Sequence, residues 1–126
     1  MGYVRDIMKK EIIAAKASDS VQQISKFLTE KKISNIPIIN ETGELVGIVS
    51  EQDIIRAMES EKFMTMTARD IMTTDIVVVK ESDSLEHVAK IFTERPFRRL
   101  PVVKDNKVIG IVTRENIIKN FMSDYY

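Results

Sequence analysis

Cysteine is absent from this chain, which excludes a disulfide framework, a thiolate metal site and a cysteine nucleophile. Histidine occurs once, at His87, and a single histidine cannot hold a metal by itself. Neither sign of charge is in surplus, since 19 basic residues balance 19 acidic ones. Nucleic acid is therefore not expected as the main partner, because a phosphate backbone calls for a basic excess. No apolar run approaches the roughly 18 residues of a membrane-spanning helix. The opening Met1-Gly2-Tyr3-Val4-Arg5-Asp6 has no apolar leader core, so a cytoplasmic protein is expected. A glycine-rich phosphate loop with lysine is missing, as is any pairing of nucleophile and base, and no enzyme is expected.

What is present is an ordinary folding composition of 126 residues, 44% hydrophobic and 30% charged. One compact module is the default at this length. Within it the sequence repeats. Val4-Arg5-Asp6-Ile7-Met8 returns as Ala68-Arg69-Asp70-Ile71-Met72, and Ile36-Pro37-Ile38-Ile39 as Leu100-Pro101-Val102-Val103. Gly47-Ile48-Val49-Ser50-Glu51-Gln52-Asp53 returns as Gly110-Ile111-Val112-Thr113-Arg114-Glu115-Asn116. The offset is 64 at first and 63 from Gly47 onward. The lost residue falls in the loop at Asn40 to Glu44, where an indel is tolerated. The chain divides on this pattern into a first copy, 1–62, and a second, 63–126.

Each copy has the same order of elements. The apolar runs 12–15 and 76–79 are expected strands. Ser20-Val21-Gln22-Gln23 has capping-box form, and Val21, Ile24, Phe27 and Leu28 follow at helical spacing, as do Leu85, Val88, Ile91 and Phe92. These helices are expected to end near Lys31 and Arg95, the latter before Pro96. Asp19 and Asp83 are expected as helix-start residues. Strands 36–39 and 100–103 carry proline second, which suggests a strand start or an edge. Turns at Thr42-Gly43 and Asp105-Asn106 lead to strands 45–49 and 108–112, and final helices are expected over 51–58 and 114–122. Thr67-Ala68-Arg69-Asp70 predicts a capped helical turn. The fold class is thus α/β, in the α+β sense: two β-α-β-β-α repeats, expected to pack as a pseudo-two-fold pair around a shared core.

The chemistry concentrates at the two strand-to-helix junctions. Ser50 with Asp53, and Thr113 with Asn116, have the spacing of helix caps. A hydroxyl and backbone N–H groups at a helix start also suit a phosphate. Asp or Asn one turn on suits a pair of ribose hydroxyls. Gly47 and Gly110 allow close approach of a ligand or of a neighbouring backbone. The copies differ just before the proline, where Ser34-Asn35 stands opposite Arg98-Arg99. Arg95, Arg98, Arg99 and Arg114 give the second copy a basic cluster suited to phosphate. His87 is expected on an exposed helix face. Met58, Met64 and Met66 are expected as adaptable core packing. Phe121, Tyr125 and Tyr126 are candidates for packing on a partner subunit.

Taken together, the paired Arg-Asp-Ile-Met openings, the apolar-Pro-apolar-apolar strands and the doubled Gly-x-x-Ser/Thr-x-x-Asp/Asn resemble a tandem pair of CBS domains, named for cystathionine β-synthase. The resemblance covers Val4 to about Phe121. It implies a non-enzymatic sensor that binds AMP, ADP, ATP or S-adenosylmethionine as a regulatory ligand in clefts between the repeats, without a separate cofactor. It implies that Asp53 and Asn116 hold ribose hydroxyls and that Ser50 and Thr113 face phosphates. Ile13 and Val77, with the backbone at Ser34-Asn35-Ile36-Pro37 and Arg98-Arg99-Leu100-Pro101, would wall the adenine. The second-copy arginines would clamp a phosphate tail, reaching to a nucleotide seated in the first copy. A homodimer is implied, with a separate effector protein as target. The alternative is a ligand-free dimerisation or docking module, to which Asn116 in place of the usual Asp points. Arg99→Ala is expected to weaken AMP binding by about 1–3 kcal/mol, the loss of a charge-assisted hydrogen bond. Unchanged affinity in calorimetry would remove Arg99 from that role.

Overall fold

The computed structural model describes residues 2–123. Tyr125 and Tyr126 lie outside the described residues. The chain forms two compact units, one within Ile13–Ile76 and the other within Met1–Ile12 together with Val77–Tyr126. Each unit draws its opening turn from the neighbouring sequence copy. These are the Arg-Asp-Ile-Met turns. Helix α1 (Val4–Ile7) opens the first copy in sequence yet joins the unit that holds residues 77–123. Val4 N–H donates to Asp83 O at 2.9 Å, and Arg5 N–H to Glu81 O at 3.0 Å. Helix α4 (Ala68–Ile71) does the same in the other unit, where Ala68 N–H donates to Asp19 O at 2.9 Å and Arg69 N–H to Ala17 O at 3.0 Å.

In the unit Ile13–Ile76, β1 (Ala15–Lys16), β2 (Asn35–Ile39) and β3 (Leu45–Ser50) form a sheet in the order β1-β2-β3. β1 runs parallel to β2, and β2 antiparallel to β3. Helix α2 (Val21–Lys31) packs Ile24 and Leu28 onto Ile36, Ile38 and Val49. Its cap is the expected box, with Ser20 Oγ accepting from Gln23 N–H at 3.0 Å. Helix α3 (Glu51–Ala57) follows β3 without a break. In the other unit, α5 (Leu85–Glu94) packs Leu85 and Val88 with Val4, Val79, Leu100, Val102 and Val112. There β4 (Arg99–Lys104) and β5 (Lys107–Thr113) make an antiparallel hairpin leading into α6 (Arg114–Ser123). Each unit therefore buries an apolar cluster of its own.

The first strands are shorter than their apolar runs. Only Ala15 and Lys16 pair in one unit, and Val79 makes a single parallel bridge to Val102 in the other. Each run meets only one neighbouring strand, and Ile12 and Val78 are left exposed. Pro37 lies in the central strand of its sheet. It is accommodated at the start of β2, ahead of the stretch that β1 reaches, so its missing N–H interrupts no ladder there. The hairpin turns are built as expected. Gly43 takes φ +85°, and Asp105 and Asn106 take φ +51° and +63°, a conformation that short polar side chains tolerate.

Two glycines hold the crossings. Thr73 exchanges two backbone hydrogen bonds with Ile48, at 2.8 and 2.9 Å, and Lys9 does the same with Ile111. A Cβ at Gly47 would lie 2.5 Å from Met72 Sδ, and one at Gly110 would lie 2.9 Å from Lys9 O. The methionine side chain can shift, whereas the Lys9 carbonyl is fixed by the bridge. Gly110→Ala is accordingly expected to destabilise the fold by about 1–3 kcal/mol, the usual cost of overpacking. Urea unfolding measures this, and an unchanged midpoint would show that the crossing has slack.

Candidate functional site

Each unit gathers one set of the sequence-selected residues. In Ile13–Ile76, the register pairs Asn35 with Ser50, so the start of β2 lies against the end of β3. Glu51 N–H donates to Ser34 O at 2.9 Å, which fastens the loop before β2 to the start of α3. Ser50 is the N-cap. Its Oγ accepts from Asp53 N–H at 3.2 Å, while Asp53 Oδ2 accepts from Ser50 N–H at 2.9 Å and from Ser50 Oγ at 3.0 Å. Asp53 is only 5% exposed and is the buried charged group among the described residues. Ile13 packs against the apolar cluster of the unit, and Ile36 and Pro37 are buried.

Sequence reasoning missed Thr73. Its Oγ1 donates to the Asp53 carboxylate, 3.2 Å from Oδ1 and 3.4 Å from Oδ2. Arg56 Nη1 lies 3.5 Å from Oδ1. The carboxylate thus receives two hydroxyls and one backbone N–H under a guanidinium. The signal was present in the repeat, because Thr73 follows the second Arg-Asp-Ile-Met and Lys9 follows the first. It went unread because the contact spans 20 residues and depends on the crossing at Gly47.

In the other unit the same frame carries different chemistry. Arg99 pairs in register with Thr113, and Arg114 N–H donates to Arg98 O at 3.0 Å. Asn116 Oδ1 accepts from Thr113 N–H at 3.0 Å, and Thr113 Oγ1 accepts from Asn116 N–H at 3.1 Å. The amide thus replaces the carboxylate as a cap without loss of the bonds to Thr113. Lys9 takes the place of Thr73. It lies near enough to α6 to help hold the Glu115 carboxyl below its ordinary range, a shift caused first by the hydrogen bond and charge of Lys119. Val77 packs at the edge of the cluster, and Leu100 and Pro101 are buried.

The arginines divide by role. Arg98 is exposed. Arg99 is half-buried, burial pushes its pKa down from the ordinary value, and its Nε is buried with no hydrogen-bond partner. A buried donor without a protein acceptor is free to meet an acceptor from outside the chain. Arg114 turns away toward the end of α5, donating to Phe92 O at 3.3 Å and Arg95 O at 3.4 Å. It satisfies the last carbonyls of that helix, as a cation near a C-terminus does. Arg95 lies over the Phe97 ring, 5.3 Å from its centroid.

Other expectations change. The first amide of each final helix is not open to a ligand, since Ser34 and Arg98 carbonyls accept from it. Met58 and Met64 are each 63% exposed rather than core, because α3 and the 3-10 turn Phe63–Thr65 leave those faces uncovered. His87 is exposed on α5, as expected. Asp19 and Asp83 each accept the amide three residues before them, Lys16 and Lys80, at 2.8 Å.

Residues 4–60 and 68–123 each match the sequence profile of the CBS domain. The chain belongs to the CBS domain family. It is 33% identical over 123 residues to the uncharacterized protein MJ1225 of Methanocaldococcus jannaschii, covering 97% of this chain and 44% of that protein. The L-aspartate semialdehyde sulfurtransferase of the same organism is 35% identical over 94% of this chain, which spans 23% of the enzyme. The chain thus spans less than half of these two relatives. The crystal structure of CBSX2 in complex with AMP superposes with TM-score 0.88 at 34% identity, covering all of both chains. The CBS domain pair of protein MJ0100, in complex with 5′-methylthioadenosine and S-adenosyl-L-methionine, gives TM-score 0.82 at 34% identity and 97% coverage of both chains. The tandem CBS pair is therefore the architecture of this chain. No helix among the described residues is long and apolar enough to cross a membrane.

The equivalence of Asp53 and Asn116 as caps makes a stability prediction. Asp53→Ala removes the acceptor of Ser50 N–H and is expected to cost about 1–2 kcal/mol, the range for a lost helix cap. Asp53→Asn should cost clearly less, because Asn116 already performs that job in the other unit. Equal losses in chemical denaturation would contradict the cap reading.

Proposed function

We propose that this CBS pair, made of the repeats 1–62 and 63–126, is a regulatory binding module for an adenosine compound: AMP, ADP, ATP or S-adenosylmethionine. The observation that carries the reading is Asp53, a nearly buried carboxylate that already accepts two hydroxyl hydrogen bonds. A ribose diol offers the same pair of donors. The AMP complex of CBSX2 and the S-adenosyl-L-methionine complex of the MJ0100 pair support that ligand class. In this reading Asp53 and Asn116 hold ribose hydroxyls. Ser50, Thr113, Arg98 and the unsatisfied Nε of Arg99 serve the phosphates. Ile13 and Val77, with the strand starts at Ser34 to Pro37 and Arg98 to Pro101, flank the base. Thr73 and Arg56 are the groups a ribose would compete with at Asp53.

We read the module as a binder rather than a catalyst, although relatives that contain it as a fraction of their length include named enzymes. Binding then acts by favouring one state of the pair, and a partner responds only if it distinguishes the states. A second reading, docking on a partner, rests on a separate observation. Ile55 on α3 and Ile118 on α6 occupy equivalent positions and are 59% and 60% exposed. Met58 and Phe121, also equivalent, are exposed too. These are faces for a second copy, giving a homodimer, or for a separate effector. Ligand binding and docking are compatible.

A thermal-shift series with AMP, ATP, S-adenosylmethionine and NAD separates them. At 100 times its Kd, a ligand that binds only the folded state adds about 2.7 kcal/mol. A rise with at least one adenosine ligand is expected, and no rise with any of the four would leave docking as the function.

A further inference from the structure

A cavity of about 200 Å3 lies within the unit Ile13–Ile76, between β1, β2 and α2. It contains none of Ser50, Asp53, Ser34 and Asn35, and Ile36 is the one residue of its lining that also belongs to the constellation described above. Its apolar walls are Ala14, Ala15, Ile24, Phe27 and Ile36. Asp19 and Gln23 supply the polar part of the lining. The repeat explains the space. The other copy has Val78 and Val79 where this one has Ala14 and Ala15, and Val79 is fully buried in its own core. Two alanines remove four methyl groups from one side of the site, while Phe27 in place of Ile91 adds a flat aromatic face.

The polar atoms are already oriented. Asp19 Oδ2 is held by Lys16 N–H at 2.8 Å, leaving Oδ1 as a second acceptor. Gln23 Oε1 accepts from Ser20 N–H and lies 3.2 Å from Ser20 Oγ, so the amide nitrogen is its donor side. An acceptor and a donor thus stand beside an apolar recess. An apolar cavity of roughly 150 Å3 holds a benzene ring, so this one has room for a fused bicyclic ring. We infer that the Ala14–Ala15 cavity is a second small-molecule site, which takes an uncharged aromatic ring the size of indole with an N–H or O–H donor directed at Asp19.

The inference is independent of adenosine binding, and the test keeps the two apart. Indole is titrated into the full-length chain and followed by amide chemical shifts, in wild type and in the double variant Ala14→Val/Ala15→Val. The variant carries the side chains that the second copy accommodates at the same positions. Saturable shifts centred on Ala14, Ala15 and Phe27 are expected in wild type, with affinity at least tenfold weaker in the variant. Phe27→Ile, which copies the other unit at that wall, should weaken indole as well and serves if the double variant does not fold. AMP titrated into the same samples should respond equally in wild type and variants. No saturable indole shift in wild type, or shifts that survive the substitutions, would overturn the site. A lost AMP response in wild type would instead count against the adenosine reading alone.

Discussion

The close contact at Gly47 and Gly110 is the constraint on which the rest of the structure depends. A side chain at either position would enter the space of Met72 or of the Lys9 carbonyl. With glycine, an extended segment lies against the strand and exchanges two backbone hydrogen bonds with it. That contact decides which residues make up a unit, because it ties the segment after each Arg-Asp-Ile-Met turn to the β3 or β5 strand. In one unit it also brings Thr73 to Asp53. The structural crossing and the chemistry of the junction are therefore one arrangement.

The capping boxes explain how so polar a junction can be buried. Asp53 is not an isolated charge. It accepts from the Ser50 amide and hydroxyl and from Thr73, and Arg56 lies beside it. A buried carboxylate is tolerated when it is satisfied in this way. In the proposed reading, the same bonds keep it positioned for a ligand that brings hydroxyls of its own. In the other unit the amide of Asn116 does the structural half of this work, while Lys9, Arg98 and Arg99 bring positive charge to the positions held by Thr73, Ser34 and Asn35 in the first. The pair has one frame and two chemistries.

Much of this was legible in the sequence because the physical signals are local. The Ser20–Gln23 box, the helix from Val21, the hairpin turns at Gly43 and Asp105-Asn106, and the Ser50/Asp53 junction all follow from residues within a few positions of one another. What was not legible depends on distance along the chain. The exchange of α1 and α4 between copies, the hydroxyl of Thr73 on Asp53, and the turn of Arg114 toward the carbonyls of α5 need partners about 20 residues away or more. The exposure of Met58 and Met64 was misjudged because a methionine suits a core and an uncovered face equally well. The first strands were overextended because apolar content was taken for pairing, when only one neighbouring strand is within reach.

We propose that, on binding, the Asp53 carboxylate exchanges the Thr73 hydroxyl for those of a ribose. A crystal structure of the chain grown with AMP tests it most directly. Both ribose hydroxyls are expected within hydrogen-bond distance of Asp53, with Thr73 Oγ1 displaced from it. AMP bound with its ribose remote from both Asp53 and Asn116, and the Thr73 contact intact, would exclude that exchange.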